Sequence, residues 1–251
     1  MNIEIHPVSD LTAEQKRAKK TATKFMREFF AKQRKKIADD IAFAYSKTGK
    51  SEADDRAAEI IAAISLDEWD VVAKEFEALT GPTFEQTAEI VLGKLGITDP
   101  DIFNLVSEAS VDFAEEAAAD LVTSITETTR ERLKSEIVDA IENASGVKEL
   151  RAAIESNFAF SRERAEMVAR TEIGNAHMGG ALEAAKQSGL QLRKSIVRGS
   201  QDFDCIICEP NELEGQIELD ALFLSGDEGP LFHPNCECTL IFTVVKAEQA
   251  G

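Results

Sequence analysis

All four cysteines of the chain stand in its last quarter, as Cys205-Ile-Ile-Cys208 and His233-Pro-Asn-Cys236-Glu-Cys238. The two half-sites are separated by about two dozen residues. Thiolate sulfur and imidazole nitrogen are the donors that tetrahedral zinc prefers, and paired short spacings of this kind belong to structural zinc sites. A catalytic zinc keeps one position open for water, whereas these five donors exceed the four positions of a closed site. The spacing therefore predicts a structural zinc. Cys205 and Cys208 belong to every sensible ligand set, and the remaining pair comes from His233, Cys236 and Cys238. A Cys-x-Cys pair reaches one metal only across a tight turn, which Pro234-Asn235 supplies. We favour Cys205, Cys208, His233 and Cys238, with Cys236 as the substitute.

Other cysteine chemistry fits less well. Four cysteines allow three disulfide pairings, but disulfide-dependent folds are mostly small and secreted. The opening MNIEIHPVSD has no basic n-region, apolar h-region or cleavage site, so a cytosolic origin is expected. A redox Cys-x-x-Cys opens a helix after a strand, whereas Pro210, Asn211 and Gly215 suggest turns after Cys208. Zinc nucleobase deaminases need a His-x-Glu before their Pro-Cys-x-x-Cys; His6 and His177 are followed by Pro7-Val8 and Met178-Gly179. No nucleophile-base pair is readable, and we expect no enzyme.

The elements that must position these residues change character along the chain. Phe25, Phe29, Ile37 and Ile41 recur at multiples of four, giving an amphipathic helix that ends near Gly49. Ser51-x-x-Asp54, Ser65-x-x-Glu68 and Thr83-x-x-Gln86 resemble capping boxes, each expected to begin a helix. Asp99-Pro100 starts another, running to Ser145-Gly146. A short helix over 147–155 and a longer one over 161–188 follow, the latter closed by Gly189. Thereafter Leu192 to Val197, Ile217 to Leu219 and Thr239 to Val245 read as short strands. The fold class is α+β and mostly α-helical: a helical N-terminal half, then a small zinc-stapled α+β lobe. The expected division is a basic helical arm over 1–50, a helical domain over 51–145, and the cysteine-bearing domain over 146–251.

The net charge of −18 argues against a surface that binds nucleic acid all over. Lys16, Arg17, Lys19, Lys20, Lys24, Arg27, Lys32, Arg34, Lys35 and Lys36 nevertheless face only one acid, Glu28, in the same stretch. That segment carries +9, so the remainder of the −18 chain carries −27. A basic arm on an acidic body suggests an acidic partner for the arm. No apolar run approaches bilayer length.

Read together, Arg170-Thr171-Glu172, Asn175, Cys205-x-x-Cys208, the Gly215 turn, Phe223 and His233-Pro-Asn-Cys236-Glu-Cys238 resemble the phage Mu F-like head morphogenesis domain. The resemblance covers roughly residues 146 to 245. The family often has Trp before the first Cys, where this chain has Ser195-Ile196, and Arg between the last two cysteines, where it has Glu237. The resemblance implies a minor head protein in a virion, at the portal vertex or in the head interior, assembled in host cytoplasm. It also implies a role in head assembly, DNA packaging or ejection. The partners implied are the portal protein and capsid or scaffold proteins, with phage DNA as a further contact of the arm. A zinc-knuckle nucleic-acid-binding protein is the alternative; neither reading needs a membrane or a small-molecule substrate. On their helix, Arg170, Thr171, Glu172 and Asn175 border a stripe of Ala169, Ile173, Ala176, Gly180 and Ala184, and are expected to form a structural polar network. His177 is a further candidate member, and equally an ordinary surface histidine.

Overall fold

A computed structural model describes residues 2–7, 9–47, 53–64, 67–199 and 204–245. The elements are β1 (Asn2–Ile5), α1 (Ala13–Lys47), α2 (Ala53–Ala62), α3 (Asp70–Leu95), α4 (Pro100–Glu142), α5 (Val147–Ser156), α6 (Arg162–Gln187), β2 (Leu192–Val197), α7 (Cys208–Leu213), β3 (Ile217–Glu218) and β4 (Thr239–Val244). The expected class, a helical N-terminal region followed by a small α+β part, is the one observed. The expected boundaries at Ser51, Ser65 and Gly49 lie outside the described residues.

Two compact units form, and neither is continuous in sequence. One comprises Met1–Lys20, Phe76–Ala117 and Arg170–Gly251; the other comprises Thr21–Glu75 and Ala118–Ala169. The helix pattern, the basic segment and the resemblance divide the chain into consecutive segments, 1–50, 51–145 and 146–251. The units interleave instead, because α1, α3, α4 and α6 are long enough for each to contribute to both.

The first unit contains a four-stranded antiparallel sheet of order β1-β4-β2-β3. β1 corrects the reading of the first 145 residues as purely helical. It pairs Ile3 with Phe242 and Ile5 with Leu240, and alternation sends Ile3 and Ile5 into the core while Asn2 and Glu4 face out. This core also takes Leu92, Val106, Met178, Leu192, Ile196 and Phe223. Thr83 is a second correction, since it lies inside α3. Its hydroxyl donates to the Leu79 carbonyl at 2.8 Å, a local bond available within an intact helix. The reciprocal capping box is Thr12 with Gln15: the Gln15 amide donates to Thr12 Oγ1 at 3.2 Å and the Thr12 amide donates to Gln15 Oε1 at 2.9 Å.

The second unit is helical. Within it α1 buries Ala22, Met26, Phe30, Ile37 and Ile41, so the basic residues occupy the outer face of a helix whose inner face is core. Phe29 meets Trp69 edge-on at 5.4 Å and Phe30 meets Phe160 at 6.4 Å. Among the described residues, Lys24 pairs with Glu28, Arg27 with Glu166, and both Lys32 and Lys36 with Glu68. Except for Glu28, these acids come from other segments. Among the described residues no helix is long and apolar enough to cross a membrane.

Candidate metal centre

The sheet brings the two cysteine half-sites together. β2 and β4 are antiparallel with Val197 opposite Thr239, so the end of β2 lies beside the start of β4, which Cys238 immediately precedes. Cys205 lies before α7 and Cys208 is its first residue, with the Glu209 amide donating to the Cys205 carbonyl at 3.0 Å. A helix therefore does open at Cys208, where the sequence suggested turns. It is six residues long and closes at Gly215, whose φ of 75° suits a residue without Cβ.

The second half-site is a tight turn. The Cys236 amide donates to the His233 carbonyl at 3.1 Å, and Asn235 has φ 62° after Pro234. Proline at the second position and a positive φ at the third make this a type II turn, as the Pro-Asn pair requires.

Two groups of donors result, Cys205 with Cys208 and His233, and Cys208 with Cys236 and Cys238. Within each group all donor atoms lie within 4.8 Å of one another. Cys208 belongs to both. Its Sγ lies 3.1 Å from His233 Nε2 and 3.9 Å from Cys236 Sγ. The latter is close to the edge of a tetrahedral zinc-thiolate site, about 3.8 Å for bonds of about 2.3 Å. His233 Nδ1 lies 3.0 Å from the Pro234 carbonyl, which can only accept. The proton therefore sits on Nδ1 and the Nε2 lone pair faces the sulfurs, the arrangement of a ligating imidazole. Cys236 shares the second group with Cys238, so geometry gives it the same standing as the Cys238 that spacing favoured.

All four cysteines are free thiols, and Cys208, Cys236 and Cys238 are fully buried. Burial, then the neighbouring Cys236, pushes the Cys208 thiol up; hydrogen bonding to Cys236, then burial, pushes Cys238 up. Burial also acts upward on Cys205, but the amides of Cys208 and Ile207 outweigh it and hold that thiol below its ordinary value. Several crowded thiols in a dry site resist ionisation, and a divalent cation reverses that by supplying the missing charge. The cluster can hold a metal ion.

Neighbouring residues brace it. Arg198, just past β2, donates from its amide to Glu212 Oε1 at 2.9 Å and from Nε to Glu212 Oε2 at 2.6 Å, which fixes α7 against the end of β2. The Arg198 amide is the first cause of the lowered Glu212 pKa, with burial opposing. A Cβ on Gly199 would fall 2.5 Å from Glu237 Cβ, so glycine permits that close approach. Arg170 of α6 is ion-paired with Glu237, and the Asn235 amide donates to Thr171 Oγ1 at 3.4 Å. Arg170 and Thr171 thus engage the 233–238 loop. Asn175 makes no side-chain hydrogen bond with the described residues.

His177 departs from both readings given to it. It is 3% exposed, not on the surface, and its Nδ1 lies 2.8 Å from Thr87 Oγ1 on α3, apart from the Arg170 contacts. Sequence reasoning also missed Lys194, which alternation with Leu192 and Ile196 places on the inner face of β2. Its Nζ lies 5.5 Å from the Phe223 ring centre with no hydrogen-bond partner, and burial lowers its pKa.

No family model and no solved structure matches the chain. The chain is similar to the uncharacterized protein YqbB of Bacillus subtilis (strain 168), at 25% identity over 160 residues, 62% of this chain and 50% of that protein. It spans about half the length of that curated relative.

Proposed function

We propose that the chain is a structural minor head protein of a tailed bacteriophage, acting in head morphogenesis at the portal vertex or head interior, with zinc in its Cys/His cluster. The observation that carries this reading is the meeting of the two motifs on which the Mu F-like resemblance rests: Arg170 and Thr171 contact the loop of His233, Cys236 and Cys238 through Glu237 and Asn235. Sulfur and imidazole donors favour zinc over the oxygen-seeking cations. Bound zinc would tie α7 to the start of β4 and so brace the cysteine-bearing end of the sheet.

In this reading the outward cations of α1 meet an acidic face of the portal protein. Lys16, Arg17, Lys20, Arg34 and Lys35 are exposed and have no acid partner among the described residues. Co-expression with a portal protein from the same genome tests the idea. The chain should copurify with portal and be recovered in purified heads with about one zinc per copy. Absence from heads and from portal complexes would overturn the reading. Steeply salt-dependent DNA binding without portal association would establish the zinc-knuckle alternative instead.

A further inference from the structure

Away from the cysteines, the helical unit holds a cavity of about 410 Å³ lined by Arg27, Glu28, Ala31 and Arg34 of α1 and by Phe160, Ser161 and Arg162 at the corner that enters α6. Positions 27, 31 and 34 follow helical spacing, so both α1 arginines share a face. Ser161 caps α6 by accepting from the Arg164 amide at 3.0 Å, which leaves the Arg162 and Glu163 amides at the mouth of the helix without intrahelical acceptors. Arg27 is ion-paired with Glu166, whereas Arg34 and Arg162 have no acid partner among the described residues.

A further cation lies beneath the wall. Arg164 is 2% exposed and 5.3 Å from the Phe30 ring centre, and its guanidinium donates only to neutral acceptors: Thr129 Oγ1, the Ala159 carbonyl and the Ile125 carbonyl. Its charge is uncompensated by any carboxylate among the described residues. In a chain of net charge −18, this corner combines three lining arginines and a buried fourth with one lining acid.

We infer that this corner binds the phosphate group of a small phosphorylated ligand, a pyrophosphate or a nucleotide. Guanidinium forks match phosphate oxygens in pairs, and free amides at a helix start add donors and a favourable dipole. The volume exceeds what one oxyanion needs and falls within the roughly 300–1,000 Å³ of small-ligand sites. The site shares Arg34 with the cations proposed to meet the portal, whereas Arg162 and the start of α6 belong to this corner alone, so Arg162→Gln separates the two readings.

Titration of the full chain with inorganic pyrophosphate and with ADP, followed by calorimetry and by the amide resonances of residues 160–164, tests it. Saturable binding is expected, weakened about tenfold or more by Arg34→Gln and by Arg162→Gln. Lys148→Gln, an equal charge loss at an exposed site on α5, should bind as wild type. Circular dichroism of each variant separates lost binding from lost folding. Four results would overturn the inference: no saturation at millimolar ligand, unaltered binding by both arginine variants in their folded state, equal weakening by Lys148→Gln, or binding confined to an oligonucleotide lacking terminal phosphate.

Discussion

Arg170 on α6 is ion-paired with Glu237, the residue that separates Cys236 from Cys238. Their side chains are 29% and 21% exposed, so the pair is partly shielded from solvent, and it joins a helix to the loop that carries the donors. Glu237→Arg would place two guanidiniums together. Each single reversal should lower the melting temperature and speed metal loss to a chelator, while Arg170→Glu with Glu237→Arg should restore much of both. A double-mutant cycle should return a coupling of about 1 kcal/mol. A coupling indistinguishable from zero would remove the pair from the support of the loop.

Cys208 is common to both donor groups, whereas Cys205 and Cys236 each belong to one. Cys208→Ser should therefore abolish metal retention, and Cys205→Ser or Cys236→Ser should weaken it less. Structural zinc contributes on the order of 10 kcal/mol to small metal-dependent folds, so loss of metal should loosen α7, β3 and β4 most. Hydrogen exchange measured beside elemental analysis reads both effects. Retention by Cys208→Ser at the wild-type level would refute this ranking.

Much of this centre is legible in the sequence because its spacing is local. Cys-x-x-Cys needs one turn, and Pro234-Asn235 encodes the other, which the Asn235 φ of 62° realises. Asp99-Pro100 likewise encodes a helix start, with the Asp101 amide donating to Asp99 Oδ1 at 3.0 Å. What escaped depends on distant partners. β1 is four residues long and alternates only twice, and it becomes a strand because β4, far along the chain, supplies its hydrogen bonds. Thr83-x-x-Gln86 has capping-box residue types, yet Gln86 receives a hydrogen bond from Thr12 and donates to Glu14. The acids that offset α1, Glu68 and Glu166, are invisible to a count within one segment. Glu237, which stands where the resembled family often has Arg, is ion-paired with Arg170, a partner 67 residues away that no local spacing reveals.

His177 makes stability sensitive to mild acid. The Thr87 hydroxyl donates to the Thr83 carbonyl at 2.9 Å and accepts from Gln15, so His177 Nδ1 carries the proton towards it. Nε2 is buried without a hydrogen-bond partner. Burial lowers the pKa to about 4; Asp10 opposes, and Lys94 and His6 act in the same direction as burial. The unfolded chain, at about 6.5, binds more protons between pH 6.5 and 4, so stability rises with pH across that window. The contribution is fully present above pH 6.5 and lost as pH falls to about 4, up to about 3 kcal/mol. Urea midpoints should fall less for His177→Gln than for wild type between pH 6.5 and 5. Parallel slopes would show that His177 is not the group responsible.

Two glycines within long helices should respond to alanine in opposite directions. A Cβ on Gly180 of α6 would lie 2.2 Å from the Phe84 carbonyl oxygen and 2.9 Å from its carbon, backbone atoms of α3 that cannot swing aside. At Gly93 of α3, a Cβ meets nothing within 4 Å. Gly180→Ala must push α3 and α6 apart beside the core of Val91, Leu92, Met178 and Leu182, and should cost about 1–3 kcal/mol or more. Gly93→Ala restricts the unfolded chain and improves helix propensity, and should stabilise by about 0.5–1 kcal/mol. Thermal unfolding of the two variants under one metal concentration should therefore move in opposite directions. A neutral Gly180→Ala would mean that α3 and α6 do not approach this closely in solution, whatever Gly93→Ala does.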